Sequence, residues 1–579
     1  MVATSAHPAS RVATGLTALT AFLFACLARA EDFIFGDGFD GPPLAASYFV
    51  SPQGLDSNPG TIDLPFLTIT RGITAAAGDS TKRNVLVAGG TYDESVSVSD
   101  GVNLYGGYQA GTWERTGNDT IIAGVSSNGS HDSTVMAINI TLAPTTFDGF
   151  IVYGSVNGKA GGNSYAIYVA GSNGNLQITH NMIFGGQGGP GMNGSTGPDG
   201  VNGTAGSGRN PNLTVADALY DAFNATGTAE CNTSNNRQYS NGGGLSCAGT
   251  SVSGGDGGGN RCPVMSYCDT FDANYGCLPN ASNFHWNNYT PLPGAAGASS
   301  GGASDGAGGG GAAQGSDMIQ IWANFSGGYI CYVPPSLTYG LDGGSGGDGS
   351  PGASVSGCSA SGGTVVSGDW VGGTSNIGIV GGNGGGGGGG GAGGGGKCES
   401  DGHGHTTCTD GTGKDSLGGH GGGGGSGGCG GAGGIGGGSG GGAFGIFIVS
   451  GSAPVVMGNQ IFAGAGGGGG NGGNGGLGGT GGRGGAGGTT GVPVVFCTDV
   501  AGGGGSGGNG GDGSGGGGGC GGSSFGIYTF GVGTPNYCQA AANNTFVAGS
   551  TGAGGAGGLS LYNSAGAGAD GTLADCSFN

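Results

Sequence analysis

The sequence predicts an all-β solenoid, a coil of short strands from which long glycine-rich excursions depart. Three observations carry that prediction. One phrase occurs three times, as YAIYVAGSNGNLQITHNMIFGG at 165–186, FGIFIVSGSAPVVMGNQIFAG at 444–464 and FGIYTFGVGTPNYCQAAANNTFVAG at 525–549. Each copy is a strand, a Gly, Ser or Pro turn, and a close on Asn and Phe before a glycine tract, which is how one unit recurs in a stack. Between 84 and 152, short β-branched runs alternate with turns and no helix-length pattern intervenes, so a βαβ sheet is excluded. Finally, the 159 glycines among 579 residues keep a period of three over long stretches.

The chain opens like a secretory signal. Val12 to Ala28 is apolar, and Ala28-Arg29-Ala30 supplies the small residues for cleavage before Glu31, giving a signal peptide at 1–30. Cys26 raises lipidation as an alternative, against which stands the bulky Phe24 of Leu23-Phe24-Ala25-Cys26. No later run reaches the roughly 20 apolar residues of a membrane span. The expectation is a secreted protein, extracellular or on the outer surface of a bacterial cell. Setting Cys26 aside leaves an even set of cysteines, and export makes disulfides their natural fate. The candidates are Cys231, Cys247, Cys262, Cys268, Cys277, Cys331, Cys358, Cys398, Cys408, Cys429, Cys497, Cys520, Cys538 and Cys576. A formal charge of −21 with only 13 Lys and Arg excludes nucleic acid as a partner, since phosphate neutralisation dominates that affinity.

Residues 31–45 read as a linker rich in Gly, Asp and Pro. From Tyr48 a short strand leads through Asn58-Pro59-Gly60-Thr61 to Phe66, Ile69, Ile73 and Ala76, which recur at helical spacing before Gly78. One small amphipathic helix ahead of many strands suits a cap over the open end of the stack. The residues Tyr48-Phe-Val-Ser-Pro-Gln-Gly-Leu-Asp56-Ser-Asn58-Pro59-Gly60-Thr61 and Pro65-Phe66-Leu-Thr68-Ile69 resemble the opening of the DUF1565 family, and similar openings occur in pectate-lyase-like proteins. The resemblance spans about 60 residues. It implies a right-handed parallel β-helix, in lyases and non-enzymes alike.

The strands expected next are Val85–Val87, Tyr92–Val98, Val102–Tyr108, Ile121–Ile122, Val135–Ile140 and Phe147–Val152. The domain reading is a cap and coils over 46–184, a Cys- and Gly-rich excursion over 185–440, a coil at 441–464, a second excursion at 465–523, and a last coil with its tail at 524–579. Within the tracts, Gly188 to Gly206 fall every third residue, and 471–489 reads Gly-Gly-X with Asn471, Asn474, Leu477, Thr480, Arg483, Ala486 and Thr489 as X. Three residues per turn is the polyproline II period, and glycine permits close lateral approach of such chains. The expectation is ordered, polyglycine II-like packing against the flank of the β-helix, stapled by disulfides, in preference to a flexible linker. Segment 188–206 has too few triplets for a collagen trimer. In texture the tracts resemble the glycine-repeat (PGRS-like) surface proteins of some mycobacteria and myxobacteria.

Chemistry-bearing clusters are sparse. Cys398, His403, His405, Cys408 and His420 have spacings that suit a transition metal, whereas export favours a Cys398–Cys408 disulfide with surface imidazoles. No cofactor is implied, with calcium or another divalent cation as the alternative. A polysaccharide lyase or glycoside hydrolase needs converging acids and a base, but Asp93-Glu94, Glu114-Arg115 and Asp148 are scattered, and no catalytic residue is assigned. Asn181, Asn459 and Asn543 align between copies and suit a structural ladder of corner amides. Trp113, Trp286, Trp322 and Trp370 are too dispersed to form a sugar-stacking platform. The functional expectation is a structural or interaction protein of the cell surface or matrix, with cell-surface or matrix components, polysaccharide among them, as partners. The alternatives are a carbohydrate-active β-helix enzyme and an ice- or surface-binding protein.

Overall fold

The computed structural model describes residues 42–117, 119–124, 131–208, 240–259, 291–323, 328–333, 335–359, 363–398, 418–488 and 499–579, with the backbone of short strands between 265 and 286. The expected signal region, the first part of the linker, and the side chains of eight candidate cysteines, Cys231, Cys262, Cys268, Cys277, Cys331, Cys398, Cys408 and Cys497, lie outside the described residues.

Three six-stranded, wholly parallel sheets form the scaffold. The first holds Ser47–Val50, Asn84–Ala88, Asn103–Tyr108, Thr145–Asp148, Leu176–Thr179 and Val455–Met457. The second holds Gly90–Tyr92, Thr120–Ala123, Ile151–Tyr153, Met182–Phe184, Gln460–Phe462 and Thr545–Val547. The third holds Val96–Val98, Ser133–Ile138, Ser164–Ser172, Ala443–Gly451, Ser524–Phe530 and Leu573–Phe578. From Asn84 to Phe530 the chain visits them in that order, one strand of each per coil, with Ser47–Val50 as an extra first-sheet strand at the start and a last coil that lacks one, which is a parallel β-helix. Inward side chains such as Leu104, Phe147, Val152, Ile167, Ile178, Ile183, Ile446 and Ile461 make one continuous core. Two expected strands are in fact pairs. Tyr92–Val98 breaks after Tyr92, and Phe147–Val152 breaks at Gly149, whose φ of +78° turns the corner between the first two sheets.

The helix spans Ile69–Ala77 and buries Ile69, Gly72, Ile73 and Ala76 over the first strands. The Thr68 hydroxyl accepts from Arg71 N, while the Glu94 carboxylate accepts from Ile69 N and Thr70 N. Together these satisfy donors that a helix start leaves open and place negative charge at the positive end of its dipole.

Every long glycine excursion leaves from the second sheet and returns into the third. Bridges continue the second sheet's ladder outward through Val156, Gln187, Ala465 and Ser550. Beyond them, segments 188–208, 464–488 and 549–559 run side by side as an outgoing layer. Gly191, Gly194, Gly197, Gly200, Gly203 and Gly206 donate to the carbonyls of 468, 471, 474, 477, 480 and 483 at 2.7–2.9 Å. Segments 418–442 and 499–523 form the returning layer, linked by bonds such as Gly425 N to Gly505 O at 2.9 Å, and lead into Ala443 and Ser524. The glycine bundle therefore grows out of the corner as a continuation of two sheets and takes its register from them.

Packing decides how much glycine each segment needs. A three-residue turn has three faces. Segment 188–208 meets the returning layer with one face and carries one Gly per three residues. In 464–488 two faces are packed, two of every three residues are Gly, and the X residues from Asn471 to Arg483 are exposed. Segment 376–395 is exposed at Asn376, Ile377, Ile379 and Val380 and enclosed from Gly381 onward. It bonds to 252–259, 292–298, 306–315, 338–350, 418–434 and 502–514. Here Gly384–Gly391 is unbroken glycine, and a Cβ built on any of these eight would strike a neighbouring carbonyl oxygen well inside van der Waals contact.

Two disulfides sit among these segments. Cys247–Cys429 closes a separation of 182 residues and Cys358–Cys520 one of 162, with Cα atoms 5.4 and 5.2 Å apart. Cys538–Cys576 ties the last corner to the final strand. A hairpin, Thr364–Val366 with Asp369–Val371, clamps the bundle to the outer face of the third sheet. Its Trp370 lies edge-on to Phe444, Phe525 and Tyr528, at ring separations of 5.6, 5.7 and 5.1 Å.

Gly388→Ala is expected to cost about 1–3 kcal/mol, as overpacked interiors do, whereas Thr480→Ala on an exposed face changes stability by less than about 0.5 kcal/mol. Urea unfolding of the two variants checks the contrast, and equal midpoints would show that the enclosed segment is not packed.

Candidate functional site

Side chains on the outer face of the first sheet fall into columns set by the strand register. One column runs Phe49, Leu86, Tyr105, Asp148, Thr179 and Met457. Asp148 is buried at 1% exposure, and the chain brings a guanidinium and an imidazole to it. After Tyr108 the backbone folds back over the sheet and places Arg115 against one carboxylate oxygen, while Arg115 Nε donates to Gly106 O at 2.9 Å. The guanidinium also lies over the Tyr105 and Tyr108 rings at 5.9 and 5.8 Å. The other oxygen of Asp148 accepts from Thr179 Oγ1 at 2.6 Å and meets His180 Nδ1 at 2.8 Å.

Opposing effects set the protonation of this group. Burial raises the Asp148 pKa, but the bonds from His180, Arg115 and Thr179 outweigh it and hold the carboxyl below its ordinary value. His180 is raised above its ordinary 6.5, chiefly by the hydrogen bond to Asp148, with burial opposing. The Tyr108 phenol is pushed up to about 12 by burial. An acid, an imidazole and a guanidinium thus share one buried junction. His180 is half-exposed, and its φ of +52° puts it in the left-handed region, where the neighbouring rungs place Gly149 and Gly458. A non-glycine residue there is strained, and such strain concentrates at functional positions.

Beside this column runs an asparagine ladder. Phe150 N donates to Asn181 Oδ1, Asn181 N and Nδ2 donate to Asn459 Oδ1, and Asn459 N and Nδ2 donate to Asn544 Oδ1, all at 2.9–3.1 Å. The third rung is Asn544. Asn543 is a correction to the sequence alignment, because it stands one place earlier, exposed, at φ +50°, in the corner position of His180 and Gly458. The last coil holds two consecutive asparagines, and the left-handed corner takes the first, a conformation Asn tolerates.

His403 and His405 lie outside the described residues, as does the proposed Cys398–Cys408 pairing. His420 sits half-buried at an X position of segment 418–442. Among the described residues no group of three or more His, Cys, Asp or Glu side chains has the arrangement of a metal site. Of the cysteine candidates, Cys247, Cys429, Cys358, Cys520, Cys538 and Cys576 are bonded as described above. Trp113 and Trp370 are buried at 4% and 5% exposure. Of the acids expected to be scattered, Asp148 and Glu94 have specific work, and so do others. Besides Asp148 and Glu94, Asp100 accepts from the N–H groups of Thr141, Leu142 and Ala143, and Asp342, Asp348 and Asp512 accept from Gly503, Asn509 and Gly478.

Fold and site together describe a parallel β-helix protein with one buried ionic junction and an appended glycine bundle. Residues 52–241 are similar to the family model described as "Protein of unknown function (DUF1565)", a match that takes in most of the stretch Tyr48–Ile69 whose resemblance to that family is noted above. No curated protein and no solved structure matches it.

Two measurements check this geometry. Asn544→Ala is expected to cost about 1–3 kcal/mol by leaving buried donors unpaired, while Asn543→Gly is neutral or stabilising because the corner favours glycine. The reverse order in thermal melts would restore Asn543 to the ladder. For His180, a folded pKa raised above 6.5 means that its contribution is full below the unfolded pKa and is lost as pH rises through the folded value. The stability gap between the native chain and His180→Asn should therefore be wider at pH 5.5 than at pH 9, and a gap independent of pH would contradict the Asp148 pairing.

Proposed function

We propose that this chain is an exported structural and interaction protein of the extracellular space or outer cell surface, with the β-helix as scaffold and the glycine bundle as the displayed body. The bundle is the observation that supports this. Its interior is largely backbone bonded to backbone, with a few small buried side chains such as Ser426, Ser514 and Ala392 and the Cys247–Cys429 disulfide, which provides rigidity and extent but no titratable cluster, and most of its variable side chains on the outgoing layer point outward. Cell-surface or matrix components are the expected partners. The even cysteine set and the disulfides joining distant segments agree with an oxidising compartment. Among the described residues no helix is long and apolar enough to cross a membrane.

A second reading, a carbohydrate-active β-helix enzyme, is favoured by His180 held against buried Asp148, an arrangement suited to general acid–base chemistry. Incubation of the purified mature chain with pectin and alginate separates the two. The expected result is no unsaturated uronide and no new reducing ends, together with a mature N-terminus at Glu31 and digestion of the bundle by protease added to intact cells. Product release that Asp148→Asn abolishes would overturn the structural reading in favour of the enzyme.

A further inference from the structure

The outgoing layer of the bundle turns an array of asparagine amides toward solvent, and their orientation is fixed. Asn193 Oδ1 accepts from Asn471 N, Asn202 Oδ1 from Thr480 N, Asn471 Oδ1 from Ala556 N, and Asn474 Oδ1 from Leu559 N, at 2.8–2.9 Å. Each partner is a backbone N–H, which can only donate, so the amide atom facing it is the oxygen. Each NH2 group is left on the other side of a pinned amide plane, and all four side chains are exposed. These bonds cross three adjacent segments, 188–208, 464–488 and 549–559. Along each segment the outward positions repeat every three residues, or about 9 Å at the polyproline II rise of about 3.1 Å.

The geometry points to this layer as a docking face for neutral, hydroxyl-rich polysaccharide packed as a flat array, of the cellulose or chitin kind. Sugar hydroxyl and acetamide oxygens accept hydrogen bonds, and the face offers donors in fixed rows. Because the amides are already held by the fold, little side-chain freedom is lost on contact, which is the condition for preorganised binding. Charge points the same way. In a chain of formal charge −21, the outward positions of the first two segments carry one acid, Asp199, and one base, Arg483. Such a balanced surface neither attracts nor repels strongly, which suits an uncharged partner. The proposal rests on the structural reading given above and names its partner.

The test is depletion of the full mature chain from solution by microcrystalline cellulose and by chitin. It is compared with a quadruple variant, Asn193→Asp, Asn202→Asp, Asn471→Asp and Asn474→Asp. Aspartate keeps the acceptor oxygen that holds the layer together and replaces the NH2 donor with a second acceptor oxygen and a negative charge, whose effect on an uncharged solid is small. The expected result is adsorption of the native chain to one of the solids and at least tenfold weaker partitioning of the variant, not restored by salt. A second variant, Ala556→Arg, obstructs the face from a position whose side chain holds nothing, and it should weaken adsorption likewise if the quadruple variant unfolds. Undiminished adsorption of the folded variants, or no adsorption of the native chain to either solid, overturns the docking face. Thermal hysteresis without glycan adsorption would overturn it in favour of ice. These outcomes leave the structural reading standing, whereas release of sugar products would sink that reading without bearing on the amides.

Discussion

An extended three-residue helix makes no hydrogen bonds within itself, so every N–H and C=O it buries must find a partner on another segment. The whole bundle answers to that requirement. A lone glycine segment would also lose more backbone entropy than any other sequence, by roughly 0.5–1 kcal/mol per residue relative to alanine. Lateral bonding at each turn offsets that loss only when neighbours approach closely enough for N···O contacts near 2.8 Å, as they do throughout the layers. Side chains prevent such an approach. The glycine of this protein is therefore a packing requirement, and its local frequency reports how many faces of a segment are covered.

Close approach alone would leave register open, because glycine repeats slide past one another at no cost in side-chain packing. The β-helix removes that freedom. Segments 188–208, 464–488 and 549–559 begin within one residue of the bridged positions Gln187, Ala465 and Ser550, and the returning segments end in strands already paired at Ala443 and Ser524. The inward isoleucines, valines and phenylalanines of the coils align these starting points. Disulfides across 182 and 162 residues then restrict the unfolded chain, where long closed loops count most in the entropic account. At outer edges, where no neighbouring carbonyl is present, Asn and Asp side chains supply the acceptor instead. That is one physical source of an acidic chain with few cations.

The coil phrase, the helix over the first strands and the period of three were legible because each is a local pattern with a direct structural cause. Three other features required the register. The phrase does not say which corner releases the glycine, and only the pairing of Phe184 with Phe462 and of Ala443 with Ser524 places that corner between the second and third sheets. Asn543 aligns as well as Asn544 by eye, and left-handed geometry decides between them. Asp148 meets Arg115 because the backbone after Tyr108 folds back over its own sheet, and it meets His180 across one rung. Neither contact leaves a spacing in the sequence that points to it, although a histidine at a corner that its two neighbouring rungs give to glycine is a signal that aligning the copies exposes.

Such a division of labour constrains where specificity can reside. Inside the bundle, the carbonyl of a neighbour excludes a side chain at each enclosed glycine, and the few that do enter, such as Ser426, Ser514, Ala392 and the Cys247–Cys429 pair, are small and shut off from solvent. Variation that a partner could read is at outward positions and on the faces of the coils. On the coils, the ionic junction is built around a buried acid whose two oxygens are fully committed to Arg115, Thr179 and His180, so its first effect is to hold a strained corner in place. On the bundle, the same kind of commitment ties asparagine oxygens to neighbouring backbone and turns their nitrogens outward. In both places a polar group satisfies the scaffold with one atom and presents another to the surroundings. Recognition by this protein is therefore a property of how its edges are finished, and the edge finished most regularly is the outgoing layer.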